Sequence, residues 1–283
     1  MTVLLSPYGA IVQMEDEAYH LLNEFMEQRL GLYFPEQRRP ILENRLQPRL
    51  RTLNLESFLD YYLLLRTSTD GELSQLARAV TNNETYLFRE AGQFDALFDH
   101  ALPDLRSHSV DRDSLRVLSA GCSSGEEAYT ISFYAKDRVP LLPIQIDAFD
   151  LDQDRLEIAR RGSCRRRSLR EMSPAQVDRY LIAEGEERFT VRPRYRSGVT
   201  FRFGNLVDPR SFAPEAPYDV VFCRNVLIYF SDRTMRRAIQ NLANVLRPGG
   251  LLFLGHSESI IGMFSNLETT RLGDIIAYRK AGS

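Results

Sequence analysis

Apolar residues recur at helical spacing through the first part of the chain. Tyr19, Leu22, Phe25, Met26 and Leu30 make one stripe, with Gly31 placed to end it. Ile41, Leu42, Leu46 and Leu50 make a second, Phe58, Leu59, Tyr62 and Leu63 a third, and Leu73, Leu76, Ala77 and Val80 a fourth. Residues 1–80 are therefore expected to form an all-helical domain. Thr81-Asn82-Asn83 breaks the period, and short β-rich runs then alternate with helical segments. That alternation predicts an α/β domain built on a parallel sheet over residues 81–283.

The expected strands are 115–119, 144–149, 199–203, 218–223, 251–254 and 275–278. A helix carrying Ile239, Leu242, Val245 and Leu246 leads through the turn Arg247-Pro248-Gly249-Gly250 into the fifth. Residues 163–204 read as a small β-rich insertion too polar for core. It holds the arginines 165, 166, 167 and 170, a short helix opened by Ser173-Pro174, and two alternating segments, 188–192 and 199–203, around a Ser197-Gly198 turn.

Composition narrows the classes. In 283 residues, 43% hydrophobic content suits a globular protein, and 36 Lys and Arg against 38 Asp and Glu give a net charge of −2. No global pull toward nucleic acid follows. Cys122, Cys164 and Cys223 are far apart and form no CxxC pair, so no structural metal is expected. With no signal-like segment at Met1 and no apolar run near the roughly 20 residues that span a bilayer, no membrane insertion and a cytoplasmic location are expected.

The stretch from Leu115 through Ser119-Ala120-Gly121-Cys122-Ser123-Ser124-Gly125-Glu126-Glu127 reads as a strand, a small-residue turn and a helix start. Gly121 and Gly125 are four apart, so this is not the dinucleotide fingerprint. Two acids at the helix start disfavour a pyrophosphate and suit a cationic ligand without phosphate, such as the sulfonium of S-adenosyl-L-methionine. Ser124 and Glu127 also match a capping box, which makes Glu127 a helix-start residue first and leaves Glu126 for a ligand. Asp150, at the carboxyl end of the second strand, is placed to accept both ribose hydroxyls of a nucleoside. Arg224 and Asn225 follow the buried run 218–223, at the edge where open parallel sheets keep their active sites; the plainer alternative is that they satisfy backbone groups.

Four segments together, Asn83 to Glu90, Ser119 to Glu127, Phe222 to Phe230 and Gly255-His256-Ser257-Glu258, resemble the CheR family of chemoreceptor glutamate methyltransferases. The resemblance covers almost the whole chain. It implies a Rossmann-like class I S-adenosylmethionine methyltransferase domain with an all-helical N-terminal domain and a small inserted antiparallel β-subdomain. It further implies a cofactor pocket of Asn83, Thr85, Arg89, Glu126, Asp150, Asn205, Leu206, Arg224 and Asn225. Cys122-Ser123 departs from a turn that is often alanine-rich in the family, which bears on cofactor packing more than on chemistry.

A glutamate with a pKa of about 4.3 is already ionised at neutral pH, so methyl transfer to it needs no general base. The four histidines are therefore free to be structural. Alignment and exclusion of water remain, and Arg89 and Tyr229 are the candidates: a guanidinium can grip a carboxylate through paired hydrogen bonds, and a phenol can fix one oxygen. A salt bridge from Arg89 to Glu90 or another acid, closing the linker, is the bland alternative. Arg45 and Arg49, four apart on one helix face, are candidates for docking the acidic cytoplasmic helices of a chemoreceptor, which would also recruit the protein to receptor arrays. In some relatives the inserted subdomain grips a peptide at the receptor's C-terminus through a longer glycine-bearing loop. The corresponding stretch here, around Gly185, is short, so independence from such a tether is expected. The competing classes are a small-molecule or nucleic-acid methyltransferase and a catalytically silent cofactor-binding scaffold for receptors.

Overall fold

The computed structural model describes residues 12–67, 71–81, 84–107, 114–212 and 217–282. The chain divides into two compact units, one of Met1–Asn82 with Tyr229–Ser231, the other of Asn83–Ile228 and Asp232–Ser283.

The first unit is built from α1 (Asp16–Leu30), α2 (Arg39–Leu53), α3 (Phe58–Thr67) and α4 (Gly71–Val80). Gly31 ends α1 as expected, in the left-handed region at φ 82°, its N–H donating to the Glu27 carbonyl. Leu22, Met26, Leu42, Leu46, Leu50, Phe58, Tyr61 and Leu76 are fully buried. Two residues counted in the apolar stripes are exposed, Ile41 at 46% and Leu63 at 53%. A short apolar cluster does not reveal which of its members face outward. Inside this unit the Asn23 amide donates to the Phe34 carbonyl and accepts from the Phe34 N–H, fixing the segment after α1.

Both arginines of the docking pair expected from sequence have partners inside this unit. Arg49 forms a bidentate pair with Glu72 (3.0 and 2.6 Å), and the Tyr61 hydroxyl donates to the same carboxylate at 2.9 Å. Burial first, then the Glu72 charge, pushes the Tyr61 hydroxyl well above its usual value, so it remains a donor. Arg45 donates to the Val80 carbonyl and lies over the Phe34 ring. Both arginines bind the helices of their own unit together, and helical spacing alone could not show which charges have internal partners.

The second unit opens with α5 (Gly92–Asp95), a π-helical turn (Ala96–Ala101) and α6 (Leu102–Ser107). There follow β1 (Leu115–Ala120), α7 (Glu126–Arg138), β2 (Ile144–Asp150) and α8 (Gln153–Arg161). Next come β3 (Ser163–Arg165), α9 (Pro174–Tyr180), β4 (Leu181–Ala183), β5 (Arg188–Val191), α10 (Pro193–Arg196) and β6 (Val199–Phe203). β7 (Tyr218–Cys223), α11 (Asp232–Val245), β8 (Leu246–Leu254), β9 (Leu267–Leu272) and β10 (Ile275–Lys280) complete it. The main sheet has the order β6-β2-β1-β7-β8-β10-β9. Its pairs from β6 to β8 are parallel, whereas β10 runs antiparallel to both β8 and β9. The sheet is thus mixed, with a hairpin at one edge. Sequence reading missed β9 because Leu267–Leu272 buries only its two ends and lacks apolar alternation.

Strand order reverses between β1 and β7, and ligands of such sheets bind where the order reverses, beyond the carboxyl ends of the strands. All six residues of β7 are buried, as a central strand requires.

The inserted piece differs from its sequence reading. Val199–Phe203 pairs in parallel with β2 at the edge of the main sheet, so Gly198 (φ 87°) joins a helix to a strand and makes no hairpin. The small sheet is antiparallel, ordered β3-β5-β4. Nor is it devoid of core: Tyr180, Leu181, Phe189, Val191 and Tyr195 are buried with Tyr129 and Phe133 of α7 and with Phe88. The Phe133 and Tyr180 rings stack at 4.2 Å. A cavity of about 380 Å³ in this piece is lined by Asp178, Arg179, Arg192, Pro193 and Arg194. Two of its arginines are occupied by the end of α9, Arg192 donating to the Asp178 carbonyl (3.0 Å) and Arg194 to the Arg179 carbonyl (3.4 Å).

Candidate active site

The turn from β1 into α7 lies at the sheet's reversal point. Gly121 (φ 82°) and Gly125 (φ 92°) take conformations that disfavour side chains, and Ser123 joins them at φ 49°. Gly125, and not Ser124, is the N-cap of α7, so the capping box read from sequence does not form. Ser124 Oγ instead donates to Glu126 (2.8 Å), and Ser168 Oγ donates to the other Glu126 oxygen at 3.1 Å. Glu126 is thereby oriented and buried, and a ligand reaches it only through its remaining lone pairs. Burial raises its pKa.

Glu127 turns the other way. It accepts from Ser119 Oγ (2.7 Å) and pairs with Arg224 at 3.1 Å. Arg224 is 7% exposed, also pairs with Glu90 (3.3 Å), donates to the Arg89 carbonyl (2.5 Å) and covers the Phe94 ring. Its side chain thus engages two carboxylates as well as one backbone carbonyl. Glu90 is shared with His256 (3.0 Å), and although burial opposes it, the Arg224 charge and the hydrogen bond with His256 lower its pKa overall.

Arg89 itself is differently placed. Its guanidinium donates to the Glu84 carbonyl (3.0 Å) and lies over the Tyr86 ring, and no carboxylate partner for it is found among the described residues. The salt bridge to Glu90 is absent because Arg224 and His256 hold that acid. Thr85 is half-buried nearby in sequence, and Asn83 lies outside the described residues.

At the end of β2, Asp150 accepts from the Ser123 and Asp152 backbone N–H groups (2.7 and 2.9 Å). These bonds aim its carboxylate across the turn. Burial is the largest influence on it and raises its pKa. Ser123 Oγ is buried without a hydrogen-bond partner among the described residues. An oriented acid, an orphaned hydroxyl and a turn with no base fit the hydroxyls of a nucleoside and a cationic group, and do not fit a phosphate. Asn205 closes its own turn, Oδ1 accepting from the Val207 N–H, and Leu206 beside it is buried.

The loop after β7 depends on a residue to which sequence reading assigned no role. Glu258 accepts three backbone N–H groups, from Gly255 (2.7 Å) and Asn225 (2.8 Å) on one oxygen and from Leu227 (2.7 Å) on the other. Asn225 is held at φ 59°, and a Cβ at Gly255 would come within 2.7 Å of the Asn225 amide. The signal was present in Gly255-His256-Ser257-Glu258, but its meaning needed the fold to bring two strand ends together. Glu258→Ala leaves three donors without an acceptor and should cost about 2–4 kcal/mol at about 1 or more per group. Chemical denaturation of the variant against wild type measures this. Tyr229 ends the 3-10 turn Leu227–Tyr229 and groups with the helical unit, where its carbonyl accepts from the Tyr33 N–H at 2.9 Å.

Comparison with known proteins agrees with this geometry. Residues 83–272 match the profile described as "CheR methyltransferase, SAM binding domain", and residues 17–81 that of "CheR methyltransferase, all-alpha domain". The chain is 35% identical to the chemotaxis protein methyltransferase of Escherichia coli, covering 94% of this chain and 91% of that protein. It is 32% identical to chemotaxis protein methyltransferase 2 of Vibrio cholerae (95% and 94% covered) and 33% to chemotaxis protein methyltransferase 1 of Pseudomonas aeruginosa (92% and 97%). Among the described residues no helix is long and apolar enough to cross a membrane. An acidic, phosphate-averse turn at the reversal point of the sheet is what an S-adenosylmethionine site needs, and with both profiles matched the chain belongs to the CheR methyltransferase family.

Proposed function

We propose that this methyltransferase esterifies glutamate side chains on the cytoplasmic helices of a chemoreceptor. One observation carries the reading: Glu90, Glu126 and Glu127 are all engaged by neighbours, while Arg89 has no carboxylate partner among the described residues. A cation left unpaired among satisfied acids suits an incoming carboxylate. The names of the relatives, chemotaxis protein methyltransferases, point to the same substrate class.

Bound S-adenosylmethionine supplies an electrophilic methyl: a carboxylate oxygen bonds to it, the carbon–sulfur electron pair passes to sulfur, and sulfonium and carboxylate become neutral thioether and ester without a proton moving. The chain's own work is alignment. Asp150 accepts the ribose hydroxyls, Glu126, Asn205, Leu206 and the Asn225 loop shape the cofactor pocket with Asn83 and Thr85, and Arg89 grips the substrate carboxylate. Incubation with methyl-labelled donor and a receptor cytoplasmic fragment tests this. Base-labile label on the fragment is expected. Base-stable label would refute ester formation, and donor binding without transfer would favour a silent scaffold.

Recognition is proposed to be independent of a tether peptide at the receptor's C-terminus. The β4–β5 connection is the short hairpin around Gly185 (φ 99°), closed by the Glu184 N–H donating to the Arg188 carbonyl at 2.8 Å. A longer loop would be needed to wall a peptide against the β4 edge. Titration with C-terminal peptides of receptors from the same organism should show no binding at micromolar concentration. Micromolar binding abolished by deleting residues 185–188 would reverse the conclusion.

A further inference from the structure

Arg89 is bracketed by two strained residues. Phe88 has φ 62° and Glu90 φ 55°, and for side chains of this size the left-handed region costs about 1 kcal/mol or more each. Such a backbone persists only where its surroundings impose it. On one side Phe88 is held by packing, its ring against Phe133, Tyr134 and Tyr180 at 5.7 to 5.9 Å, with its N–H donating to Thr130 Oγ1 at 3.1 Å. On the other side Glu90 is held by Arg224, His256 and Gln93, and Gln93 also donates to the Leu254 carbonyl at 2.8 Å. Between them, Arg224 donates to the carbonyl of Arg89 itself. The backbone of one exposed-headed arginine is thus tied to α7 and to the ends of β7 and β8.

We infer that Arg224 is a positioning residue. With Glu90 and Glu127 it clamps the Arg89 backbone in a strained loop, so that the Arg89 guanidinium meets the substrate carboxylate in one orientation. The inference rests on the role of Arg89 proposed above. The planar guanidinium is essential to it: one fork reaches Glu127, Glu90 and the Arg89 carbonyl together, which the point charge of a lysine does not do. A purely structural salt bridge would stabilise the fold and leave the reaction alone. The strain on both flanks of Arg89 argues for the positioning role, because a loop with no geometric duty has no reason to keep two left-handed residues.

The test has two readouts in the full-length protein. Amide hydrogen exchange without ligand should quicken about tenfold or more across residues 87–91 in Arg224→Lys, with α8 and β10 unchanged. In a double-mutant cycle, Arg224→Lys should lower kcat about tenfold in the wild-type background and less than about twofold in the Arg89→Ala background, since it acts through Arg89. Equal losses in both backgrounds, or unaltered exchange at 87–91, would overturn the clamp while leaving the role of Arg89 intact. A wild-type rate in Arg89→Ala alone would instead remove the role of Arg89. Should Arg224→Lys not fold, Glu90→Asn takes its place, since asparagine tolerates the left-handed region while removing the carboxylate.

Discussion

Arg89→Ala should lower kcat for methyl transfer by about two to three orders of magnitude, the loss that follows removal of one pre-aligned charged contact. The protein should stay folded, because among the described residues the side chain donates to the Glu84 carbonyl and rests on Tyr86, both replaceable by water at this half-exposed position. Arg89→Lys should recover only part of the rate, since one ammonium cannot reproduce paired hydrogen bonds to a carboxylate. Calorimetric titration with the demethylated product should show a smaller change than the rate does. A full rate at saturating receptor fragment would remove Arg89 from the reaction.

Asp150→Ala should weaken binding of S-adenosylmethionine by about 1–3 kcal/mol through the loss of hydrogen bonds from two hydroxyls. The loss compounds, because Asp150 also receives the Ser123 N–H and so shapes the turn itself. The pH dependence has a definite sign. Ribose recognition needs the ionised carboxylate as acceptor, and burial raises the Asp150 pKa above its ordinary value. Affinity should therefore decline on acidification, starting at a higher pH than an ordinary aspartate would give, and Asp150→Asn should flatten that part of the profile. Calorimetry across the acidic range measures both effects, and an unaltered affinity in folded Asp150→Ala would exclude the residue.

Periodicity made the large divisions legible. The helical stripes of residues 1–80, the buried run 218–223 and the strand–turn–helix at Gly121 carry their own signals, because burial of one face imposes a period on the residues that form it. Local chain geometry likewise put Asp150 at a strand's carboxyl end and Glu126-Glu127 at a helix start.

Which charges are spoken for was not legible. Arg49 and Arg89 look alike in sequence, yet Arg49 is closed by Glu72, 23 residues away, while Arg89 meets a carbonyl and a ring among the described residues. Glu127 looked like a helix cap and became the partner of Arg224, 97 positions distant. Val199–Phe203 looked like half of a hairpin and became the edge strand of another sheet. The sequence by itself determined most of the elements, the domain order and the kind of ligand the turn can accept, because these depend on neighbours within a few residues. Only the tertiary structure decided the partner of each charge, the strain around Arg89 and the three-armed role of Glu258, because ion pairs and strand neighbours are chosen by distance in space, which the chain's own spacing does not record.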